Sequence, residues 1–326
     1  LTPVLGWSAV VHVVITLLLA VVPAAWLGGR VAEEPTVVMQ ISLGGAVANY
    51  LLNYAMIHEM FGLPNLGLMG IGLVTAVVTN GMALILALHI RRHPAYVPYP
   101  IRDGFWQLSR SHLKELWRLG LPIGGTYAVE VGLFTFAAFC MGAMGSTQMA
   151  AHQIALQTVS MSFMIPVGIS YAVTMRIGQH YGAGNLLLAR TAGRAGIVFG
   201  GTTMLAFGVL FWLAPHTIIG LFLDINDPKF ADIVELTVKL LAIAAWFEIL
   251  DGTQTIAMGA IRGFKDARTT FLIGLASYWL IAAPAAWIFG FYANHGAVGV
   301  WWGLALGLLC SAVALTWAFE RKTSRL

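Results

Sequence analysis

Two carboxylates, Glu130 and Asp251, stand in the apolar runs TYAVEVGLFTFAAF and WFEILDGTQTIAMGA, and a third acid, Glu248, precedes Asp251 by three residues. Residues three apart lie close to one face of a helix. An ionisable group at the centre of a bilayer costs at least ~2.5 kcal/mol, so an acid kept there is read first as a functional group. A carboxylate enclosed in hydrocarbon has to be neutralised, by a proton or by a small cation such as Na+. Glu130, Asp251 and Glu248 are therefore candidate cation-coupling residues, with Na+ held by Glu130 and Asp251 as one possibility. The competing reading is a fixed interhelical hydrogen bond, which would tolerate Asp251→Asn.

Such acids require long apolar helices to carry them. The 326 residues are 59% hydrophobic and only 10% charged, with a mean hydropathy of +0.80, too little polar material to cover a soluble surface. Stretches of roughly 20 residues, enough to cross ~30 Å of hydrocarbon, fall at 3–27, 36–58, 66–90, 118–143, 148–176, 190–215, 235–261, 268–292 and 297–319. They lack the alternation of barrel strands, and backbone groups in lipid must be satisfied internally. The expected fold is an all-α integral membrane protein of about nine transmembrane helices. Its many glycines at GxxxG-like spacing point to close helix packing.

The formal charge of +4 is distributed as in a membrane protein, with no nucleic-acid partner implied. Arg91, Arg92, Arg102, Arg110, Lys114 and Arg118 fill one connection, Arg176, Arg190 and Arg194 another, and Arg262, Lys265 and Arg268 a third. Arg321, Lys322 and Arg325 close the chain, whereas Lys229 and Lys239 face the other way among Asp224, Asp227, Asp232 and Glu235. By the positive-inside rule the C-terminus is expected in the cytoplasm. Cys140 and Cys310 lie inside apolar helices and suggest packing, not a disulfide framework.

Residues 30–95 resemble 262–322 at an offset of roughly 230 residues, with GLMGIGL falling on GAVGVWW. That repeat pairs the first three expected helices with the last three and leaves the middle three without partners. The chain is thus expected to be a piece of a protein with two six-helix halves, a plan found among secondary transporters. The expected organisation is a partial N-terminal lobe of three helices at 1–90, a cytoplasmic inter-lobe linker with an amphipathic helix at 91–117, and a six-helix C-terminal lobe at 118–326. The linker carries Phe105, Trp106, Leu108, Leu113, Leu116 and Trp117 among basic residues, suited to lying in the membrane interface.

Depth sharpens the reading of the acids. Glu130 lies 12 residues after Arg118 and Asp251 lies 11 before Arg262, roughly 18 and 16 Å from the basic belt and near the midplane. The motifs around them, GLPIGGTYAVEVGLF, MAAHQIALQTVSMSFMIPVGISYAVTMRIGQHYGAGN and EILDGTQTIAMGAIRGFKDAR, resemble the multidrug and toxin extrusion (MATE) family, in its NorM-like bacterial branch. The resemblance spans essentially the whole chain, as the fourth to twelfth helices of a twelve-helix family. It implies that Glu130 and Asp251 are the family's acids for cation coupling and that Gln153 contacts cation or drug. Glu248 departs from the pattern, standing where a glutamine is commoner.

The function this implies is secondary active multidrug efflux, exporting organic cations or amphipathic drugs by antiport with Na+ or H+ from a bacterial inner membrane. A coupling ion takes the place of a cofactor, and the partners are small molecules and lipid, with no obligate protein partner. His152, near the outer end of its helix, is either a substrate contact or a packing hydrogen-bond partner. Phe134, Phe136 and Phe163, with Met141, Met144, Met149, Met161 and Met164, could form a deformable wall for aromatic cations; Phe134 and Met161 are the substrate candidates among them. Pro166 and Pro284 should kink their helices.

Other classes fare worse. His58 and Glu59 begin a metalloprotease-like pair, but Gly62 stands where the second histidine is needed. A lipid-linked oligosaccharide flippase would need deep arginines for a diphosphate, and here the deep charges are acidic. A non-transporting membrane scaffold gives no reason for midplane acids.

Overall fold

The structure, a computed structural model, describes residues 35–58, 67–93 and 110–325. Its regular elements there are helices, and every expected span after the first coincides with one. The span expected at 3–27 lies outside the described residues. The chain separates into two compact units at Gln107 and Leu108.

In the first unit, α1 (Pro35–Ile57) packs on α2 (Gly67–Arg92). The Asn49 side chain donates to Thr75 Oγ1 at 3.3 Å across the pair. The last turn of α2 carries His89, Arg91 and Arg92, where positive charge suits the helix dipole.

The second unit comprises α3 (Arg110–Met144), α4 (Ser146–Gly182), α5 (Leu186–Leu213), the short α6 (Pro215–Ile219), α7 (Ala231–Gly263), α8 (Ala267–Tyr292) and α9 (Gly296–Arg325). Helix α3 begins at Arg110, so Leu113, Leu116 and Trp117, expected in a separate strap, run as exposed residues of its first turns. The rest of that strap, 94–109, lies outside the described residues. Between α3 and α4 the chain turns on one residue, Gly145, at φ +133°, a conformation glycine adopts without steric cost. Asn185 caps α5 and Asp266 caps α8, each accepting from a backbone N–H three residues on, at 3.2 and 3.1 Å.

Among the described residues, six helices are long and apolar enough to cross a membrane. Helix α7 is also long, at 33 residues, but Lys239, Glu248 and Asp251 interrupt its apolar middle. It is the hub of the unit, packed against α4, α5 and α9. Burying a helix that carries these charged residues is possible because its neighbours present small residues to it. A Cβ on Gly208 of α5 would lie 2.6 Å from the Ala245 carbonyl oxygen. On the α4 side, Ser170 Oγ donates to the Thr255 carbonyl and Thr174 Oγ1 to that of Gly259, both at 2.8 Å.

Helix α8 is not a regular α-helix. Wide π turns occupy Ala276–Ala282 and Ile288–Tyr292, flanking a short α stretch, Ala283–Trp287, that contains Pro284. Proline has no N–H for the preceding turn and its ring crowds the carbonyl there, so the ladder is re-registered around it. The irregular backbone lies against a glycine ridge on α9. A Cβ on Gly303 would collide with the Ala286 backbone, and one on Gly307 with Ala282.

Candidate functional site

Three helices of the second unit converge on a pocket of about 350 Å³. Helix α3 contributes Glu130, Val131, Phe134, Thr135 and Ala138; α4 contributes Gln153, Leu156, Val159, Ser160 and Phe163; and α7 contributes Asp251. Glu130 and Asp251, 121 positions apart in sequence, thus face one chamber with an apolar lining.

Their immediate chemistry is sparse. Asp251 is 4% exposed and accepts one hydrogen bond, from Gln254 Nε2 to Oδ1 at 2.8 Å. Glu248, 1% exposed, accepts one from Ser162 Oγ to Oε1 at 2.7 Å. An ionised carboxylate offers about four acceptor positions, so the one side-chain donor each has among the described residues leaves most of that capacity unmet. No ion pair reaches Glu130, Glu248 or Asp251 among the described residues. Asp251 instead feels the negative charge of both Glu130 and Glu248. A buried charge without a counter-charge is strongly unfavourable, and a proton or a small cation would relieve it. The positive field of Arg262 reaches Glu130 from the basic end of α7; its guanidinium lies 5.4 Å above the Tyr127 ring, one turn before Glu130.

The other expected residues separate. Gln153 and Phe134 line the pocket, and Phe134 meets Phe247 edge to face at 6.2 Å between ring centres. Glu248 stands behind the lining, bonded to α4. His152 is fully buried outside the lining, where its Nδ1 accepts from Trp301 Nε1 at 3.2 Å and the two rings pack edge to face. This contact is the helix-packing hydrogen bond named above as the alternative to a substrate role. Met161 is 67% exposed and also lies outside the lining. The expected Met and Phe wall divides in the same way: Phe163 faces the pocket, Met141 is buried in the core, and Met164 points outward. Among the described residues, no group of three or more His, Cys, Asp or Glu converges on a metal position.

Two residues of this neighbourhood were not anticipated, Gln254 and Tyr278. Gln254 Nε2 also donates to Tyr278 OH, at 2.6 Å, and both side chains are fully buried. A glutamine three residues after a midplane acid is itself anomalous in an apolar helix, and that signal could have found Gln254. Tyr278 had none, because its direction depends on the π turn.

A bundle of membrane-length helices thus brings two acids from separate helices to one pocket, the architecture of an all-α membrane protein. Residues 122–288 match the MatE family model, and the chain belongs to that family. It is 81% identical over 289 residues to the probable multidrug resistance protein NorM of Pseudomonas syringae pv. tomato, covering 89% of this chain and 63% of that protein. It is 40% identical over 288 residues to the multidrug resistance protein NorM of Burkholderia vietnamiensis, covering 88% and 61%. The chain thus spans somewhat under two thirds of the length of the curated relatives it matches. Among solved structures, an outward-facing multidrug resistance MATE family transporter of the MOP superfamily superposes with a TM-score of 0.76 at 21% identity, covering 88% of this chain and 62% of that one. The eukaryotic MATE transporter AtDTX14 does so at 0.74 and 20%, covering 88% and 63%. At these identities the likeness is one of fold.

Proposed function

We propose that the protein is a secondary active multidrug exporter of the bacterial inner membrane, driving out organic cations or amphipathic drugs in exchange for Na+ or H+. The observation that carries this reading is the pocket shared by Glu130 and Asp251, two acids on different helices that form no ion pair among the described residues. The names of the NorM relatives agree with it. Glu130 and Asp251 take up the coupling cation, with Glu248 adding negative charge behind them. Gln153 at the rim and the Phe134 and Phe163 rings offer a polar contact and π faces to an organic cation. An ion can drive such a cycle only through its different affinity for the two end states. Acids that must be neutralised before they are enclosed supply that difference.

The test is efflux of ethidium from proteoliposomes holding the complete gene product, with Na+ and pH gradients imposed separately. One of the two gradients should drive efflux, and Asp251→Asn and Glu130→Gln should each reduce it at least about tenfold, ~1.4 kcal/mol of lost coupling, at unchanged expression. Undiminished gradient-driven efflux in both variants would return the acids to a merely structural role.

A further inference from the structure

Helix α8 supplies no acid and no side chain to the pocket lining, yet it holds both of the helices that supply the acids. Within the π turn Ala276–Ala282, two consecutive residues point to different neighbours. The Tyr278 hydroxyl receives the Gln254 amide at 2.6 Å, and the same amide nitrogen holds Asp251 Oδ1 at 2.8 Å. The Trp279 indole N–H donates to the Val129 carbonyl at 3.3 Å, one residue from Glu130. The contact with α3 is close, since a Cβ on Gly132 would lie 3.0 Å from the Trp279 ring.

Adjacent residues of an α-helix point about 100° apart, and the extra residue of a π turn changes which faces they address. The turn is held from behind by α9, where Gly303 and Gly307 admit the α8 backbone so closely that no side chain would fit.

We propose that the π turn of α8 is a clamp that sets the spacing of Glu130 and Asp251, with Tyr278, Trp279 and Gln254 as positioning residues for the coupling ion. This rests on the transport reading above. A cation or proton arriving between the acids changes what Asp251 offers to Gln254, and the displacement passes to a helix hydrogen-bonded on both sides of the pair, to Gln254 on α7 and to the Val129 carbonyl on α3. Gln254 can respond through its Oε1, which is buried and has no hydrogen-bond partner among the described residues. Turning the amide over would present an acceptor to Asp251 and Tyr278 in place of a donor.

The test uses the complete gene product in detergent and in proteoliposomes. Titration with NaCl, and separately with pH, should change the tryptophan emission of the wild type, and Trp279→Phe should remove most of that change. Tyr278→Phe, which keeps the ring and loses the hydroxyl, should shift the Na+ or H+ concentration for half-maximal response about fivefold, the equivalent of one hydrogen bond. Ethidium affinity should stay the same, and Gln254→Leu should reproduce the shift. If the cation response of Trp279→Phe equals the wild type, or if Tyr278→Phe moves ethidium affinity as much as the cation midpoint, the clamp is wrong. A wild type whose Trp279 signal follows cations but which moves no ethidium would overturn the drug-export reading and leave the clamp standing.

Discussion

Asp266 illustrates how much a single side chain does at the charged end of the bundle. It caps α8 through the Thr269 N–H, accepts from the Thr269 hydroxyl at 2.9 Å, and takes the Lys322 ammonium of α9 at 2.6 Å. Partial burial alone would raise its pKa, but the Lys322 and Thr269 bonds outweigh it and hold the carboxyl below the usual range. The sign of the linkage follows. A group whose folded pKa is depressed adds stability that is complete above its unfolded value, about 3.9 for aspartate, and is lost as the pH falls through the folded one. The melting temperature of the detergent-solubilised protein should therefore fall on acidification below about pH 4. Asp266→Asn should melt lower near neutrality and show a weaker dependence in that acid window, as followed by differential scanning fluorimetry. Glu320 makes a comparable tie, accepting a two-pronged Arg194 bond at 2.6 Å and an Arg190 bond at 2.8 Å. Its partners are part-exposed, which limits what it contributes.

At the scale of elements, the α8–α9 contact is the least forgiving. Gly303→Val would set a branched side chain into the Ala286 backbone, and overpacking of that kind costs about 1–3 kcal/mol. The expected outcome is a lower melting temperature together with a weaker cation response, since the clamp leans on this ridge. The helices themselves were legible in the sequence: hydropathy placed α2 to within a few residues, and the GxxxG spacing anticipated the α9 ridge. Glu130 and Asp251 stood out because nothing around them could hold a charge, and the pocket unites them. The parts that the sequence did not position share a physical cause. The early start of α3 escaped because a charged first turn reads as linker whether or not it is helical. His152 and Met161 were assigned by residue type, and type does not fix the face on which a side chain emerges. Tyr278 was invisible because a π turn shifts every later residue off the regular period.

For the whole molecule, charge asymmetry carries the expected orientation. Arg190, Arg194, Lys265 and Lys322 engage Glu320, Glu115 and Asp266 at one end of the second unit, whereas Lys239 pairs with Glu235 near the start of α7. If the richly basic end is cytoplasmic, a green fluorescent protein fused after Leu326 should fluoresce in cells, and alkaline phosphatase fused there should be inactive. The reverse result would invert the proposed direction of drug and ion movement.

Gly145 adds a constraint on how the pocket can change size. With only that residue between α3 and α4, the two walls cannot slide lengthwise past each other; they can only splay, like tweezers joined at one tip. Glu130 sits ~22 Å along α3 from that pivot, at 1.5 Å per residue. A tilt of about ten degrees would then part the jaws by roughly 4 Å, enough to admit a flat aromatic ring edge-on. Lengthening the joint with inserted residues would give the jaws slack and blunt the grip.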